Sequence, residues 1–498
     1  MSNIKLTSFH RKFKNIFWPI HAHELGKFIP MSGLMFCILF NQNILRILKD
    51  SILITEISAE VASFAKVYCV TPMAAIFVIF YTKIVNKLPF EKIYYYLVGF
   101  FVTCFAIFAF VIYPNVETFH LNNSALDQIM AAHPHLKWYI ALIGNWSYIL
   151  FYALAELWPN IFYVLLFWQF ANEITTTEEA KRYYTLFSLF GNSSLIFVGF
   201  LMMNLSSEAT FLRHFIDIAD NKVVLVQAST TLLIILSFLS CLLMRFINKN
   251  IMTNSQYYAK AKAKQSAQKM SLAQSFRYIT RSKYLWLMLI CSAAFGLSMN
   301  LVEAVWKAKI KELYPTVNTY AEFNSLYILW TGVAIMVMTI IGNNIMRSHS
   351  WFVAAVISPI VIMITGILFF VLVVFDSQVL SLFDGAVLMT PLALAVSVGA
   401  IQNILAKGTK YSIWDTSREM LYIPLDDELK TKGKAAVDVI SSKIGKSSSG
   451  LLQSLIFTIS PAATFTSISP ILMVVFTIVC VLWIYAVRKI YFEYQKIV

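Results

Sequence analysis

Eight ionisable side chains, Arg46, Lys49, Lys66, Glu156, Glu303, Asp438, Lys443 and Lys446, stand in or at the edges of apolar stretches about 20 residues long, the length that crosses a bilayer as a helix. Five of the eight are cations. A charge at membrane depth costs about 2.5–3.5 kcal/mol even on the most lenient scale, so such groups face a cavity inside a bundle. A membrane protein with a mostly cationic interior is suited to carrying an anion.

The spacing sharpens that reading. In FNQNILRILKD (40–50), Gln42, Arg46 and Lys49 fall at i, i+4 and i+7, one face of a helix, with Asn43 beside them and apolar residues elsewhere. A polar stripe with an apolar back is how a helix lines an aqueous cavity. In SSKIGKSSSGLLQS (441–454), Ser442, Lys446, Ser449 and Gln453 share a stripe and Lys443 lies one turn before Lys446. Small residues around a cation let a ligand approach the backbone closely. Arg46, Lys49, Lys443 and Lys446 are thus the candidate phosphate ligands. The candidate acids are Glu156, in YALAELWPN (152–160) with Asn160 four residues on, and Glu303, which follows Asn300 by three and precedes Lys307 by four. Carboxylates among buried cations offset part of the charge when the site is empty; a proton relay is the rival role. GKS at 445–447 is not a phosphate-binding loop, because that motif needs a glycine where Ile440 stands. Several spaced cations, amides and aromatic faces together suit a nucleoside polyphosphate: Arg and Lys take phosphate oxygens and aromatic rings stack on a base. A dicarboxylate or sugar phosphate needs fewer cations.

The elements that must position these residues are membrane helices. Hydrophobic residues make up 58% of the 498 and charged residues 13%, and mean hydropathy is +0.68, values foreign to a soluble domain. The apolar runs are continuous rather than alternating, which excludes a membrane β-barrel. The expected fold is therefore an all-α polytopic membrane protein with twelve spans near 28–48, 61–83, 93–113, 145–172, 183–205, 223–244, 284–305, 324–346, 351–375, 385–406, 435–459 and 468–487. A basic connection over 245–283, with nine Lys or Arg and no Asp or Glu, divides an N-terminal half (1–244) from a C-terminal half (284–498). Two six-helix halves joined this way give a major-facilitator-like layout, with the site near the midplane. Of the 40 Lys and Arg, about 29 fall in loops on the side of both termini and about 7 on the other, so both termini and the linker are expected in the cytoplasm. The net charge of +14 is then topology, and the linker is read as facing lipid headgroups, not nucleic acid. The six cysteines show no metal or disulfide spacing, and the first 27 residues carry five Lys or Arg without the short core of a cleaved signal peptide.

Specific strings carry a resemblance. FWPI (17–20), LRILKD (45–50), ALAELW (153–158), FWQFANEIT (167–175), NLVEAVWKAKIKELYP (300–315), KYSIWDTSREMLYIPLD (410–426), KGKAAVDVI (432–440) and GKSSSG (445–450) together resemble the nucleotide transporter family of obligate intracellular bacteria and plastids, the ATP/ADP translocase type. The resemblance implies exchange of external ATP for internal ADP, with members of other base preference (GTP/GDP, CTP, UTP) as the alternative within the family. A proton-coupled organic-anion symporter is the alternative outside it. It implies functional charges at Lys49, Glu156, Glu303 and Lys446. Where relatives often read GKSGG this chain has Ser448 and Ser449, and Pro159 follows AELW directly. A transporter and not an enzyme is expected, without cofactor or metal, working as a monomer in the bacterial inner membrane with nucleotides and membrane lipid as its partners.

Overall fold

The computed structural model describes residues 20–85, 87–207, 220–253, 282–375, 389–425 and 433–497; within these, the side chains of Ser442, Lys443, Lys446 and Asp438 lie outside the described ones. Twelve long helices follow one another: α1 Leu25–Glu56, α2 Ala59–Val85, α3 Phe90–Phe119, α4 Trp146–Ile174, α5 Thr177–Ser206, α6 Asn221–Asn250, α7 Lys283–Leu313, α8 Val317–Ser348, α9 Trp351–Val374, α10 Pro391–Met420, α11 Lys434–Ile459 and α12 Phe465–Gln495. No strand occurs among the described residues. The all-helical polytopic fold in two sets of six is the expected one. Among the described residues eleven helices are long and apolar enough to cross a bilayer; α11 falls short, with a shorter apolar run at Ser448–Ile459, and its first half holds the Ser and Lys residues singled out above.

Most helices overrun their apolar windows. α1 continues to Glu56 and α10 to Met420, well past the predicted ends at 48 and 406. A helix satisfies its own backbone groups, so prolonging it costs less than exposing peptide to lipid. Polar residues at the starts close the free N–H groups: Thr316 accepts from Thr319 N, Ser282 from Leu285 N, and Thr176 and Glu179 form a reciprocal capping box. Between α3 and α4, where only a loop was predicted, short helices form at Asn123–Ala132 and Lys137–Gly144.

Four helices contain a π-helical stretch: Ala65–Val70 in α2, Phe108–Ile112 in α3, Pro159–Phe167 in α4 and Lys410–Trp414 in α10. Pro159 accounts for the third, since its ring displaces the preceding turn and it has no N–H to donate. The wider turn breaks the register predicted to align Glu156 with residues beyond Pro159. Buried indoles pin neighbouring helices: Trp158 donates to Ile38 O, Trp306 to Val396 O and Trp351 to Ser417 O.

Contacts between the two sets of six gather at the end away from the chain termini. There Lys311 donates to Ile57 O at 2.9 Å, Phe465 N to Glu60 at 3.2 Å, and Asn318 to Ser206 O at 3.3 Å; His135 meets Thr458 O at 2.8 Å. At the terminal end, hydrogen bonds between described residues stay within one set: Lys27 with Glu179, Arg182 with Glu24, Tyr81 with Gln169, Tyr284 with Leu421 O. Burial raises the pKa of Glu24, but hydrogen bonds from Arg182 and from His21 N outweigh it and hold this carboxyl below its usual range. The halves are thus joined at one end and separately braced at the other.

The tightest joint is α5 on α8. A Cβ on Gly199 would lie 2.7 Å from Leu329 N and Ser325 O, and one on Gly332 2.9 Å from the Leu195 side chain. Small residues let membrane helices approach this closely. Gly199→Val is expected to cost about 1–3 kcal/mol through overpacking, read as a lower thermal midpoint in detergent; an unchanged midpoint would mean that the two helices have room to separate.

Candidate functional site

The ionisable residues converge where the halves meet. α1 brings Arg46, Lys49 and Asp50, α4 brings Glu156, and α7 brings Glu303 and Lys307. Lys49 Nζ lies 2.8 Å from Asp50 Oδ1 and 2.8 Å from Glu156 Oε1. Lys307 Nζ lies 2.8 Å from Asp50 Oδ2 and 3.1 Å from Glu303 Oε1, and Arg46 Nη2 is 3.9 Å from Glu303 Oε1. The chain of charges runs Glu156, Lys49, Asp50, Lys307, Glu303, Arg46. Its Asp50–Lys307 and Arg46–Glu303 links cross from one half to the other. Lys49, Asp50 and Lys307 are all more than nine-tenths buried, and Lys49 also sits 4.7 Å from the centre of the Tyr152 ring. In such a setting each ion depends on its partners, because leaving one unpaired costs far more than the pair contributes.

A small cavity of about 20 Å³ adjoins the network, lined by Ser63 and Lys66 of α2, Asn300, Glu303 and Lys307 of α7, and Ser449, Gly450 and Gln453 of α11. That is room for a water and not for a nucleotide. Polar groups close its wall: Ser63 donates to Gln453 Oε1 at 2.6 Å and Gln453 Nε2 to Ser449 Oγ at 3.1 Å. α11 reaches this wall because Gly445 and Gly296 bring it onto α7, a Cβ on either lying 3.0 Å from the other's Cα.

The residues predicted for the site are distributed unevenly. Arg46, Lys49, Glu156 and Glu303 are brought together, and Asn300 and Gln453 line the cavity. Asn43 departs from the predicted stripe: it donates to Ser194 Oγ at 3.2 Å in the α1–α5 packing. Gln42 is half-buried with no partner for Oε1 among the described residues. Asn160 folds back to Glu156 O at 3.0 Å and is exposed. The side chains of Lys443, Lys446 and Ser442 are outside the described ones.

Sequence reading missed three members of the cluster, Asp50, Lys307 and Lys407, and the neighbouring Lys410. Asp50 was passed over although it lies four residues after Arg46, a spacing that marks a shared face. Lys307, noted only as lying four residues after Glu303, is buried because α7 continues to Leu313. Lys407 and Lys410 were placed in a loop after residue 406, whereas α10 carries both inside the span. Lys410 pairs with Asp415 at 2.8 Å. Lys407 donates to the Tyr327 hydroxyl of α8. Lys407 and Lys66 have no carboxylate partner among the described residues. Among the described residues the cluster at the junction therefore holds five cations (Arg46, Lys49, Lys66, Lys307, Lys407) against three carboxylates (Asp50, Glu156, Glu303), a surplus of two positive charges. Among the described residues no His, Cys, Asp and Glu group is arranged to hold a metal ion.

Known proteins of similar fold are transporters. A bacterial homologue of the iron transporter ferroportin, in an inward-facing state, superposes with a TM-score of 0.58 at 12% identity, over 93% of this chain and 100% of that one. A bacterial metal transporter gives 0.52 at 10% identity, over 91% and 97%. Likeness in sequence is far stronger. The chain is 75% identical to ADP,ATP carrier protein 5 of Rickettsia typhi over 100% of both chains, and 75% identical to the protein of that name in Rickettsia prowazekii over 98% of each. It is 41% identical to ADP,ATP carrier protein 1 of Rickettsia bellii over 100% of this chain and 99% of that one. With residues 4–494 also matching the family model described as TLC ATP/ADP transporter, the chain, as its strings suggested, belongs to that transporter family.

Proposed function

We propose that the protein is an antiporter that exchanges external ATP for internal ADP by alternating access of its two halves. The observation that carries the reading is the surplus of two cations at the junction among the described residues, where Lys66 and Lys407 have no carboxylate partner. A polyphosphate is the ligand whose charge answers such a surplus. The names of the full-length relatives, ADP,ATP carrier proteins, point the same way. Without a polyanion, rocking would carry unpaired cations through a low-dielectric junction. Each return therefore needs a second nucleotide, which makes exchange obligatory. Arg46 and Lys49 take phosphate, as does Lys446 by its place in GKSSSG, while Glu156 and Glu303 hold the cations between turnovers. Both sets of six lie in one chain, so the functional unit is a monomer, surrounded by lipid of the bacterial inner membrane.

Purified protein in liposomes preloaded with ADP should take up labelled ATP, and liposomes without internal nucleotide should not. Competition by unlabelled GTP, CTP and UTP ranks the bases. Uptake into empty liposomes driven by a pH gradient would replace the antiporter by a proton-coupled symporter.

The orientation proposed from loop charge places both termini in the cytoplasm. Asp127 and Ser350 are both exposed and lie in connections on opposite sides. In a background with the six native cysteines replaced, Asp127→Cys should react with an impermeant maleimide on intact cells and Ser350→Cys should not. The reverse pattern inverts the topology.

A further inference from the structure

α10 runs Pro391–Met420, and Lys407 lies sixteen residues into it, about 24 Å along the axis and so deep in the membrane. Its ammonium donates to the Tyr327 hydroxyl and sits 4.8 Å from the centre of that ring. The perch is firm: Tyr327 is 5% exposed and packs edge-on against Trp306 at 4.8 Å, and Trp306 is itself bonded to Val396 O. It is also neutral. A phenol steadies a lysine but cancels none of its charge. One turn on, Lys410 is neutralised by Asp415, so Lys407 is the cation that α10 leaves uncompensated. Across the junction Arg46 of α1 lies 3.9 Å from Glu303, which stands one helical turn before Trp306, the ring that packs against Tyr327. Two cations from opposite halves thus face the junction, Arg46 with a carboxylate beside it and Lys407 with a neutral phenol, and their mutual repulsion falls when a further anion comes between them.

We propose that Lys407 is the C-terminal half's contact for the phosphate chain of the substrate, with the Tyr327 hydroxyl as its resting perch. On binding, the ammonium leaves the phenol oxygen for a phosphate oxygen, and the substrate bridges Lys407 in one half to Arg46 in the other. Repulsion across the junction becomes a link, and this link draws the halves together. Lys407 is half-buried, which leaves it room to turn. The inference rests on the nucleotide-exchange reading above.

The test measures ATP and AMP affinity, counterflow and thermal midpoint for wild type, Lys407→Gln, Lys407→Arg and Tyr327→Phe in lipid. Wild-type counterflow comes first, since its absence overturns the exchange reading itself. With wild-type exchange in hand, Lys407→Gln should weaken ATP about ten- to a hundredfold and AMP less, as loss of one charge-assisted contact predicts. Lys407→Arg should recover most of the ATP affinity. Tyr327→Phe removes the hydroxyl that competes with phosphate and should tighten ATP by about two- to tenfold. Opposite signs for the two positions support the assignment. Unchanged ATP affinity in Lys407→Gln overturns it. So does equal weakening of ATP and AMP by Lys407→Gln and Tyr327→Phe with matching falls in midpoint, which would make the pair a packing contact between α8 and α10.

Discussion

Asp50→Asn should be the most damaging single substitution in the charge network. Asp50 accepts from Lys49 and from Lys307, each at 2.8 Å, and is only 4% exposed. Removing its charge leaves Lys307 with Glu303 alone and strips the shortest ion pair between α1 and α7. Loss of one member of a buried pair costs about 3–5 kcal/mol, so folded yield and thermal midpoint should both fall and exchange should be lost. Removing Lys307 at the same time tells charge imbalance from lost packing. Asp50→Asn with Lys307→Met restores the original charge balance, leaving Lys49 with Glu156 and Arg46 with Glu303, and should recover most of the midpoint. Exchange should stay impaired, because the link between the halves is still missing. A single Asp50→Asn variant of normal midpoint and normal counterflow would make Asp50 a spectator.

Glu303→Gln should separate binding from turnover. Glu303 is shared by Lys307 and Arg46 and is a fifth exposed toward the cavity side. Without its charge the phosphate-binding cations remain, so nucleotide should bind as well as before or more tightly. Between releasing one nucleotide and binding the next, however, the carrier now has three surplus positive charges at the junction instead of two, and exchange should slow about ten- to a hundredfold, equivalent to roughly 1.4–2.8 kcal/mol. Calorimetric affinity beside counterflow in preloaded liposomes reads both quantities. A parallel loss of binding and exchange would place Glu303 on the substrate itself, and no change in either would reduce it to a local partner of Lys307.

The fold and roughly half of the charge network were legible in the sequence, for separable reasons. Hydrophobic runs report span number well, since lipid imposes the same demand on every crossing helix. They report span ends poorly. The stretch after residue 406, AKGTKYSIWD, reads as a polar exit from the membrane, yet α10 continues through it because Lys407 and Lys410 face Tyr327 and Asp415, not lipid. Arg46, Lys49, Glu156 and Glu303 stood out because a charge in an apolar run is conspicuous. Asp50 did not, since at the edge of its window it looked like the helix exit. Asn43 shows the opposite error: a polar residue beside a polar stripe was assigned to the cavity, whereas hydrogen bonding to Ser194 holds it between two helices. Helical spacing also fails across Pro159–Phe167, where the π-helical turn advances the chain at a different pitch.

The polar first half of α11 bears on how a newly made chain enters the membrane. Its apolar run among the described residues, Ser448–Ile459, is about 18 Å of helix at 1.5 Å per residue, against a hydrocarbon layer of about 30 Å. The fourteen residues before it include Lys434, Asp438, Lys443 and Lys446, a segment that the insertion machinery would not release into lipid unaided. What receives it is protein: the backbone of α7 at Gly296 packs on Gly445, and just beyond the segment Ser63 of α2 donates to Gln453, both partners synthesised and inserted long before. α11 is thus a guest of the helices already in place. Made as a fragment with α12 alone, it should lie along the membrane surface, and it takes its crossing only in the company of the rest.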